Sequence, residues 1–150
     1  MGEVLAEARA AAGHDDVPVG AVVVQRDSIV GRGHNRREVD RDPTAHAEIL
    51  ALRAAAATLG RWRLSDCAMY VTLEPCAMCA GAAVLARLAL VVFAAPDEKA
   101  GAVRSVAELL DEPRLNHHPR WRLGPRRQEV ERLLGEFFGA RRGDPRESAT

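Results

Sequence analysis

Lysine is almost absent from this chain, since Lys99 is the only lysine among 21 basic residues. The chain also has 21 acidic residues, so its positive and negative charges balance. The net charge of zero argues against a protein that holds nucleic acid mainly by bulk electrostatic attraction. Nearly all of the positive charge is therefore arginine, whose guanidinium suits bidentate phosphate contacts and stacking on bases. Solvated arginine faces without a ligand explain the same composition equally well.

Cysteines and long uncharged apolar runs are also few. Three cysteines in 150 residues do not predict a disulfide framework. The most apolar stretch, residues 77–95, contains Arg87 and predicts a buried helix followed by a strand rather than a membrane span. The first residues are acidic and helical in pattern, not basic and apolar, so we expect no signal peptide, no membrane association and a cytoplasmic location.

Helical and strand-like hydrophobic periods alternate along the chain. Five strands are predicted, at residues 17–25, 28–35, 67–73, 89–95 and 120–123. Helices are predicted at residues 3–12, 45–60, 75–88, 103–110 and 128–142, with a polar loop at 36–43. Thr44 is the expected N-cap of the second helix. This order predicts an α/β protein with three α/β/α layers around a single mixed five-stranded sheet. We expect one domain over residues 1–143 and a flexible tail at 144–150.

Cys76 and Cys79 stand three residues apart at the predicted start of a helix, directly after Pro75. Residues i and i+3 lie on one helix face, so both sulfur atoms can reach one metal ion. A helix N-terminus also favours the thiolate form, which is the form that binds zinc. Cys67 falls in a predicted strand and is interpreted as a small core residue.

His46 and Glu48 stand at the start of the other strong helix. In an ideal helix residues i and i+2 point about 200° apart, so these side chains can share a pocket only in an irregular first turn. With the two cysteines, His46 completes three zinc ligands and leaves a fourth position for water, as in catalytic zinc sites. Glu48, which is not needed as a ligand, suits general acid–base work. The alternative is a closed structural site with Cys67, His34 or a carboxylate as fourth ligand.

The combination of His-x-Glu with Pro-Cys-x-x-Cys resembles the zinc deaminase signature. Further segments extend the resemblance over most of the chain, namely GHNRR at 33–37, DPTAHAEILALR at 42–53, VTLEPCAMCAGA at 71–82, LNHHP at 115–119 and LLGEFF at 133–138. In this order they resemble the bacterial tRNA-specific adenosine deaminases. The resemblance implies a cytidine deaminase-like fold, a homodimer, one zinc ion per subunit, and conversion of adenosine to inosine at the wobble position of a tRNA anticodon.

The resemblance also implies how the reaction proceeds. Hydroxide from zinc-held water attacks C6 of the adenine, and ammonia leaves. Glu48 takes the water proton, protonates N1 and later delivers a proton to the leaving amino group. The target base must enter a pocket, which an anticodon loop permits at little cost because its nucleotides are single-stranded.

Contacts to the tRNA anticodon loop are implied for five further residues, namely Asn35, Asp97, Asn116, His117 and Phe138. Asn35 would bind the purine edge, and Asp97 would bind the ribose 2′-OH. Asn116 and His117 would contact the RNA backbone or a base. Phe138 would help to form a platform for the loop, with Arg141 and Arg142 nearby for phosphates. A turn-forming asparagine and an ordinary loop aspartate are the alternatives at the first two positions.

Two other functions remain open on the sequence alone. The same zinc motif suits a deaminase of a free base or nucleotide of guanine, cytosine or dCMP type, and the zero net charge mildly favours it. A zinc-stabilised RNA-binding module without catalysis is the other alternative. Glu48 argues against that module, because a structural zinc site has no use for it.

Overall fold

The computed structural model of the chain describes residues 1–142, so the tail predicted at 144–150 lies outside the described part. Five strands form one sheet in the order β2-β1-β3-β4-β5. Their bounds are Gly20–Gln25 (β1), Ser28–His34 (β2), Cys67–Leu73 (β3), Leu90–Ala95 (β4) and Arg120–Leu123 (β5). Strand β1 is antiparallel to β2 and β3, whereas β4 is parallel to β3 and β5. The predicted mixed five-stranded sheet is confirmed.

Helices cover both faces of this sheet. They span Gly2–Ala12 (α1), Arg37–Asp40 (α2), Ala47–Leu59 (α3), Ala77–Leu85 (α4) and Arg127–Arg141 (α5). Small and β-branched residues of α3, α4 and the sheet form the larger apolar core. A smaller cluster joins Leu5 of α1 and Val130 of α5 to Ala94 and Ala95 at the end of β4. The three predicted α/β/α layers are therefore confirmed. No helix within residues 1–142 combines the length and the apolar character needed to cross a membrane.

Helix α3 approaches β2 closely because that strand has glycines at the points of contact. A Cβ at Gly31 would lie 2.3 Å from the carbonyl oxygen of Ala51, and one at Gly33 would lie 2.4 Å from that of Ala47. Any larger residue would displace the helix. This close approach places the first turn of α3 beside the end of β2, where Asn35 follows.

The region between β2 and α3 differs from its prediction in two ways. Part of the predicted loop forms the short helix α2, which the i,i+4 pair of Arg36 and Asp40 supports. The N-cap of α3 is His46 and not Thr44. The reason is local, because both the backbone nitrogen and the hydroxyl of Thr44 donate hydrogen bonds to the Asp42 carboxylate, which holds residues 42–44 in a turn.

The helix predicted at 103–110 is wrong. Only a single 3-10 turn, Leu109–Asp111, forms in this region. The backbone N–H groups of Val103, Arg104 and Ser105 donate to the side chain of Glu74 instead of entering a helical ladder. A buried carboxylate from another segment therefore determines the conformation of this loop.

Candidate active site

Two helix starts meet at one end of the sheet. Strands β3 and β4 are parallel, and α4 begins after the carboxyl end of β3, which is the end where α/β proteins bind ligands. Cys76 is the N-cap of α4 and His46 the N-cap of α3, and both have extended backbones, with φ of −72° and −80°. Because His46 precedes the helix proper, its side chain and that of Glu48 can face one pocket.

The structure brings His46, Cys76 and Cys79 together. The Nδ1 atom of His46 lies 3.6 Å from the Sγ atom of each cysteine. Zinc bonds of about 2.3 Å to sulfur and 2.0–2.1 Å to nitrogen, at a tetrahedral angle, place those atoms about 3.6 Å apart. The residues present therefore fit a zinc ion in donor type and in spacing.

A fourth protein ligand is not found in the described part of the chain, where these three residues form the only group of His, Cys, Asp or Glu side chains spaced to hold a metal. His34, considered as a fourth ligand, instead pairs with Glu7 through an Nδ1–Oε2 distance of 2.8 Å. Cys67, the other such residue, is buried at the start of β3. The geometry favours a site with one coordination position left for water over a closed structural site.

The three metal-ligand candidates shift one another's pKa values through their mutual hydrogen bonds. The hydrogen bond from the Cys79 thiol, together with one from His46, lowers the pKa of Cys76 to about 3. The same contact with Cys76, and burial, raise the pKa of Cys79. The hydrogen bond with Cys76 raises the pKa of His46. A zinc ion bound here would replace these protons, because thiolates and a neutral imidazole are the forms that bind it.

Glu48 is buried in the first turn of α3, with 3% of its surface exposed. Burial raises the pKa of this carboxyl group to about 7. A general acid–base group is most effective when its pKa lies near the operating pH, so Glu48 is suited to accept and return a proton in neutral solution.

A cavity of about 230 Å³ opens beside these groups. It is smaller than the pockets of roughly 300–1,000 Å³ that enclose drug-sized ligands, so it suits one nucleobase rather than a whole nucleotide. Its lining consists of Val17, Val19, Asn35, Arg37, His46, Glu48, Leu73, Glu74, Cys76, Asp97 and Ala100. Of the substrate contacts implied by the sequence, Asn35 and Asp97 are therefore at the pocket.

Asn35 connects the pocket to the start of α3. Its side-chain oxygen accepts a hydrogen bond of 2.8 Å from the backbone nitrogen of Ala47, so it caps the helix immediately after His46. The side chain is almost fully buried, and within the described residues its amide nitrogen has no hydrogen-bond partner. A free donor at the pocket wall suits an acceptor atom on a purine edge. Asn35 can therefore support both the metal site and the substrate.

Asp97 lies at the pocket, but its carboxylate is already engaged. The Oδ1 atom accepts hydrogen bonds from the backbone nitrogens of Lys99 and Ala100, as in the ordinary loop aspartate that was the alternative. Its other carboxylate oxygen has no hydrogen-bond partner among residues 1–142. A contact with the ribose remains a prediction for this residue.

Glu74, which the sequence did not single out, organises the wall that contains Asp97. Its buried carboxylate accepts hydrogen bonds from the backbone nitrogens of Asp97, Val103, Arg104 and Ser105 and from the Ser105 hydroxyl. Burial alone would raise the pKa of Glu74, but these hydrogen bonds, led by that of Arg104, lower it below its ordinary value. A Cβ at Gly101 would lie 2.3 Å from the Glu74 carboxyl carbon, so only glycine fits there.

Asn116 and His117 are not among the residues that line the pocket, and their contact with the substrate remains a prediction. The Asn116 side-chain oxygen accepts a hydrogen bond from Arg87, and the ring of His117 bonds the Leu88 carbonyl. These contacts lie at the amino end of β4, about 17 Å from its carboxyl end. Because β5 is parallel to β4, the loop that enters β5 must lie at the end of the sheet away from the pocket.

Phe138 is exposed on the last helix and does not line the cavity. Its ring meets that of the half-buried Phe137 edge to face, and the Arg141 guanidinium lies over the Phe137 ring. Arg141 also donates a hydrogen bond to the backbone oxygen of Asp15, two residues before Val17 in the pocket wall. The end of α5 therefore contacts the segment that leads into the pocket wall, and a platform role for Phe138 remains a prediction.

Comparison with known proteins gives a consistent set of relatives. The family model of MafB19-like deaminases matches residues 1–142. A tRNA-specific adenosine deaminase of Aquifex aeolicus is 48% identical over 89% of this chain and 88% of its own length. A solved structure from a study of A-to-I editing by tRNA:A34 deaminases at the wobble position of transfer RNA is 41% identical. It has a TM-score of 0.86 and covers 89% of this chain and 96% of its own.

A guanine deaminase from Nitrosomonas europaea has a similar fold but is more distant. Its structure is 30% identical, with a TM-score of 0.74, over 92% of this chain and 82% of its own. The fold therefore accommodates free-base deaminases as well, although the sequence is nearer to the tRNA-acting relatives.

Proposed function

The chain belongs to the tRNA-specific adenosine deaminases, and we propose that it converts adenosine to inosine at the wobble position of a tRNA anticodon with one Zn²⁺ ion per subunit. The observation that carries this proposal is a buried glutamate, Glu48, beside three zinc-type ligands in a cavity sized for one base. The family membership supports adenosine in tRNA as the substrate.

We assign the metal to His46, Cys76 and Cys79, whose donor set carries two negative charges when both thiols are ionised. Bound there, zinc would lower the pKa of a water molecule and so supply a nucleophile at neutral pH. No ligand role is left for Glu48, which supports its assignment as the proton carrier.

The residues of the pocket divide the remaining work. Asn35 orients the purine through its free amide N–H group while its oxygen holds the start of α3. The carboxylate of Glu48 accepts a proton from the attacking water and donates it to N1 of the adenine. It then takes a second proton from the hydroxyl group that has been added to C6 and delivers it to the amino group, which leaves as ammonia. Water is consumed and ammonia released, so the base gains a carbonyl oxygen in place of its amino group.

Deamination of free guanine is the second candidate function, because the Nitrosomonas europaea relative has the same fold. A direct comparison of substrates separates the two. The zinc-loaded protein is incubated with an anticodon stem-loop bearing adenosine at the wobble position and, separately, with guanine and with cytosine. Ammonia from the stem-loop alone supports the proposal, whereas ammonia from a free base alone overturns it.

An exposed apolar surface supports the homodimer that the family resemblance implies. Helices α3 and α4 line a groove that includes Ile49, Leu52, Ala82 and Leu85, and the side chain of Leu85 is 71% exposed. Apolar surface of this kind marks protein–protein contact. We therefore propose that a second copy of the chain packs on this groove, and that the dimer acts in the cytoplasm.

Light scattering tests this surface. The variant Leu85→Arg is expected to be monomeric, because burying an unpaired guanidinium in an apolar interface is costly. Val39→Arg changes another exposed apolar residue, on α2, and is expected to stay dimeric. A dimeric Leu85→Arg protein would reject this interface.

A further inference from the structure

Two adjacent arginines between β2 and α3 have different electrostatic environments. Arg36 is neutralised, since its Nε and Nη2 atoms make three hydrogen bonds of 3.0–3.2 Å to the Asp40 carboxylate. Arg37 is exposed, and none of the ion pairs among residues 1–142 includes it. Of the two, Arg37 alone lines the cavity. It therefore offers an uncompensated guanidinium at the pocket.

The backbone that carries Arg37 is fixed on both sides. The backbone nitrogen of Arg36 donates a hydrogen bond of 3.0 Å to the carbonyl oxygen of Ala45. The backbone nitrogen of Glu38 donates one of 3.1 Å to the carboxylate of Asp16, which is 1% exposed. An arginine on a fixed backbone loses less entropy when it binds a ligand than one on a free loop.

The remaining charges of the pocket explain what this arginine can bind. Glu48, Glu74 and Asp97 also line the cavity, whereas Arg37 is the only guanidinium or ammonium group among its lining residues. A polynucleotide that approaches the opening brings phosphates toward these acids and is repelled by them. The guanidinium of Arg37, carried on a fixed backbone beside the cavity, would offset that repulsion and can pair with a phosphate through two N–H groups.

The size of the cavity determines where the phosphate must lie. About 230 Å³ suits the base but not the sugar and phosphate, which must stay at the opening. We propose, on the basis of the proposed function, that Arg37 binds a phosphate next to the target adenosine and so favours a polynucleotide over a free base. Arg37 is a substrate-binding residue in this proposal and takes no part in the proton transfers.

The salt dependence of RNA binding tests the phosphate contact. Affinity of the zinc-loaded protein for the anticodon stem-loop is measured over a range of salt concentrations for the unmodified protein, Arg37→Ala and Arg36→Ala. Loss of one phosphate contact lowers the slope of log affinity against log salt by about 0.7–1 and weakens binding about tenfold at low salt. Arg36→Ala removes the same formal charge from a neutralised pair, so its slope should stay unchanged.

Neutral phosphate analogues locate the contact. Stem-loops with a methylphosphonate on the 5′ or the 3′ side of the wobble adenosine are compared with the unmodified RNA. One of the two replacements should weaken binding to the unmodified protein about tenfold and have no further effect on Arg37→Ala. The steady-state effect of Arg37→Ala should fall on KM more than on kcat, and the zinc content should stay unchanged.

The outcomes separate this proposal from the function on which it rests. If the unmodified protein does not deaminate the stem-loop, the proposed function fails and the role of Arg37 fails with it. If deamination occurs but Arg37→Ala keeps the full salt slope, or Arg36→Ala loses as much slope, only the Arg37 proposal is overturned. A loss of kcat or of zinc without a change in slope also overturns it and indicates a structural role.

Discussion

The side-chain oxygen of Asn35 lies 2.8 Å from the backbone nitrogen of Ala47, the residue after His46. One asparagine therefore links the wall of the pocket to the helix that presents a zinc-ligand candidate. Under the proposed function the two halves of its carboxamide have separable roles, since the oxygen supports the protein and the nitrogen, which has no partner among residues 1–142, would bind the substrate.

The variants Asn35→Asp and Asn35→Ala separate those roles. Asn35→Asp keeps an oxygen for the Ala47 N–H group but removes the donor, so kcat/KM should fall about 10–100-fold while the helix cap and the zinc content are retained. Asn35→Ala should lose the same activity and also about 1 kcal/mol of helix capping, a fall in Tm of about 2–4 °C. Kinetics and calorimetry measure these changes, and unchanged kinetics in both variants would remove Asn35 from the substrate site.

The proton-carrier role of Glu48 predicts a specific loss. Glu48→Gln keeps the size of the side chain and removes the group that exchanges protons, so kcat should fall about 10²–10⁴-fold or more. Zinc content and Tm should be retained, because a neutral amide costs less to bury than a charge. Ammonia release, metal analysis and thermal unfolding measure the three properties. Full activity in Glu48→Gln would show that another group moves the proton.

The packing of Gly101 against Glu74 predicts a strong effect from one methyl group. Gly101→Ala places a Cβ 2.3 Å from the Glu74 carboxyl carbon, which should lower the free energy of unfolding by about 1–3 kcal/mol and raise KM by moving Asp97. Gly135→Ala is the matched control, because its Cβ meets nothing within 4 Å on α5. The control should gain up to about 1 kcal/mol from helix propensity. Equal unfolding free energies in the two variants would contradict the packing argument.

The zinc assignment predicts that two buried cysteines respond differently to substitution. Cys79→Ala removes a thiolate and should reduce bound zinc from about one ion per chain to near zero, with loss of activity. Cys67→Ala changes a core cysteine outside the group and should keep its zinc at a cost of about 1 kcal/mol in stability. Metal analysis of the purified variants measures both. Zinc retained by Cys79→Ala would require another ligand set.

Local sequence signals were sufficient for the layers of the fold and for the convergence of His46 with the two cysteines. The hydrophobic periodicities of strands and helices predicted the mixed sheet. His46 and the two cysteines lie at the starts of two helices, where a few neighbouring residues determine the backbone geometry. The requirement that His46 and Glu48 lie in an irregular first turn also followed from helical geometry, although the N-cap itself was predicted two residues too early. These features depend on short stretches of chain.

Features that depend on contacts between distant segments could not be predicted. The loop after Gly101 has a helical pattern, but Glu74, almost thirty residues earlier, takes its N–H groups. The position of Asn116 depends on the direction of β5 in the sheet. The sequence of this short strand does not indicate that it pairs parallel to β4. The hydrogen bond by which the Asn35 side chain caps α3 at Ala47 joins residues twelve apart, and no short sequence motif predicts it.

The most direct test of the proposed function is the position of inosine in a deaminated RNA. An anticodon stem-loop with adenosine at the wobble position and at other loop positions is incubated with zinc-loaded protein and with Glu48→Gln, and inosine is measured at each position. We expect inosine at the wobble position with the unmodified protein and none with Glu48→Gln. Absence of inosine from the RNA, with ammonia released from free guanine by the same preparation, would contradict the proposal.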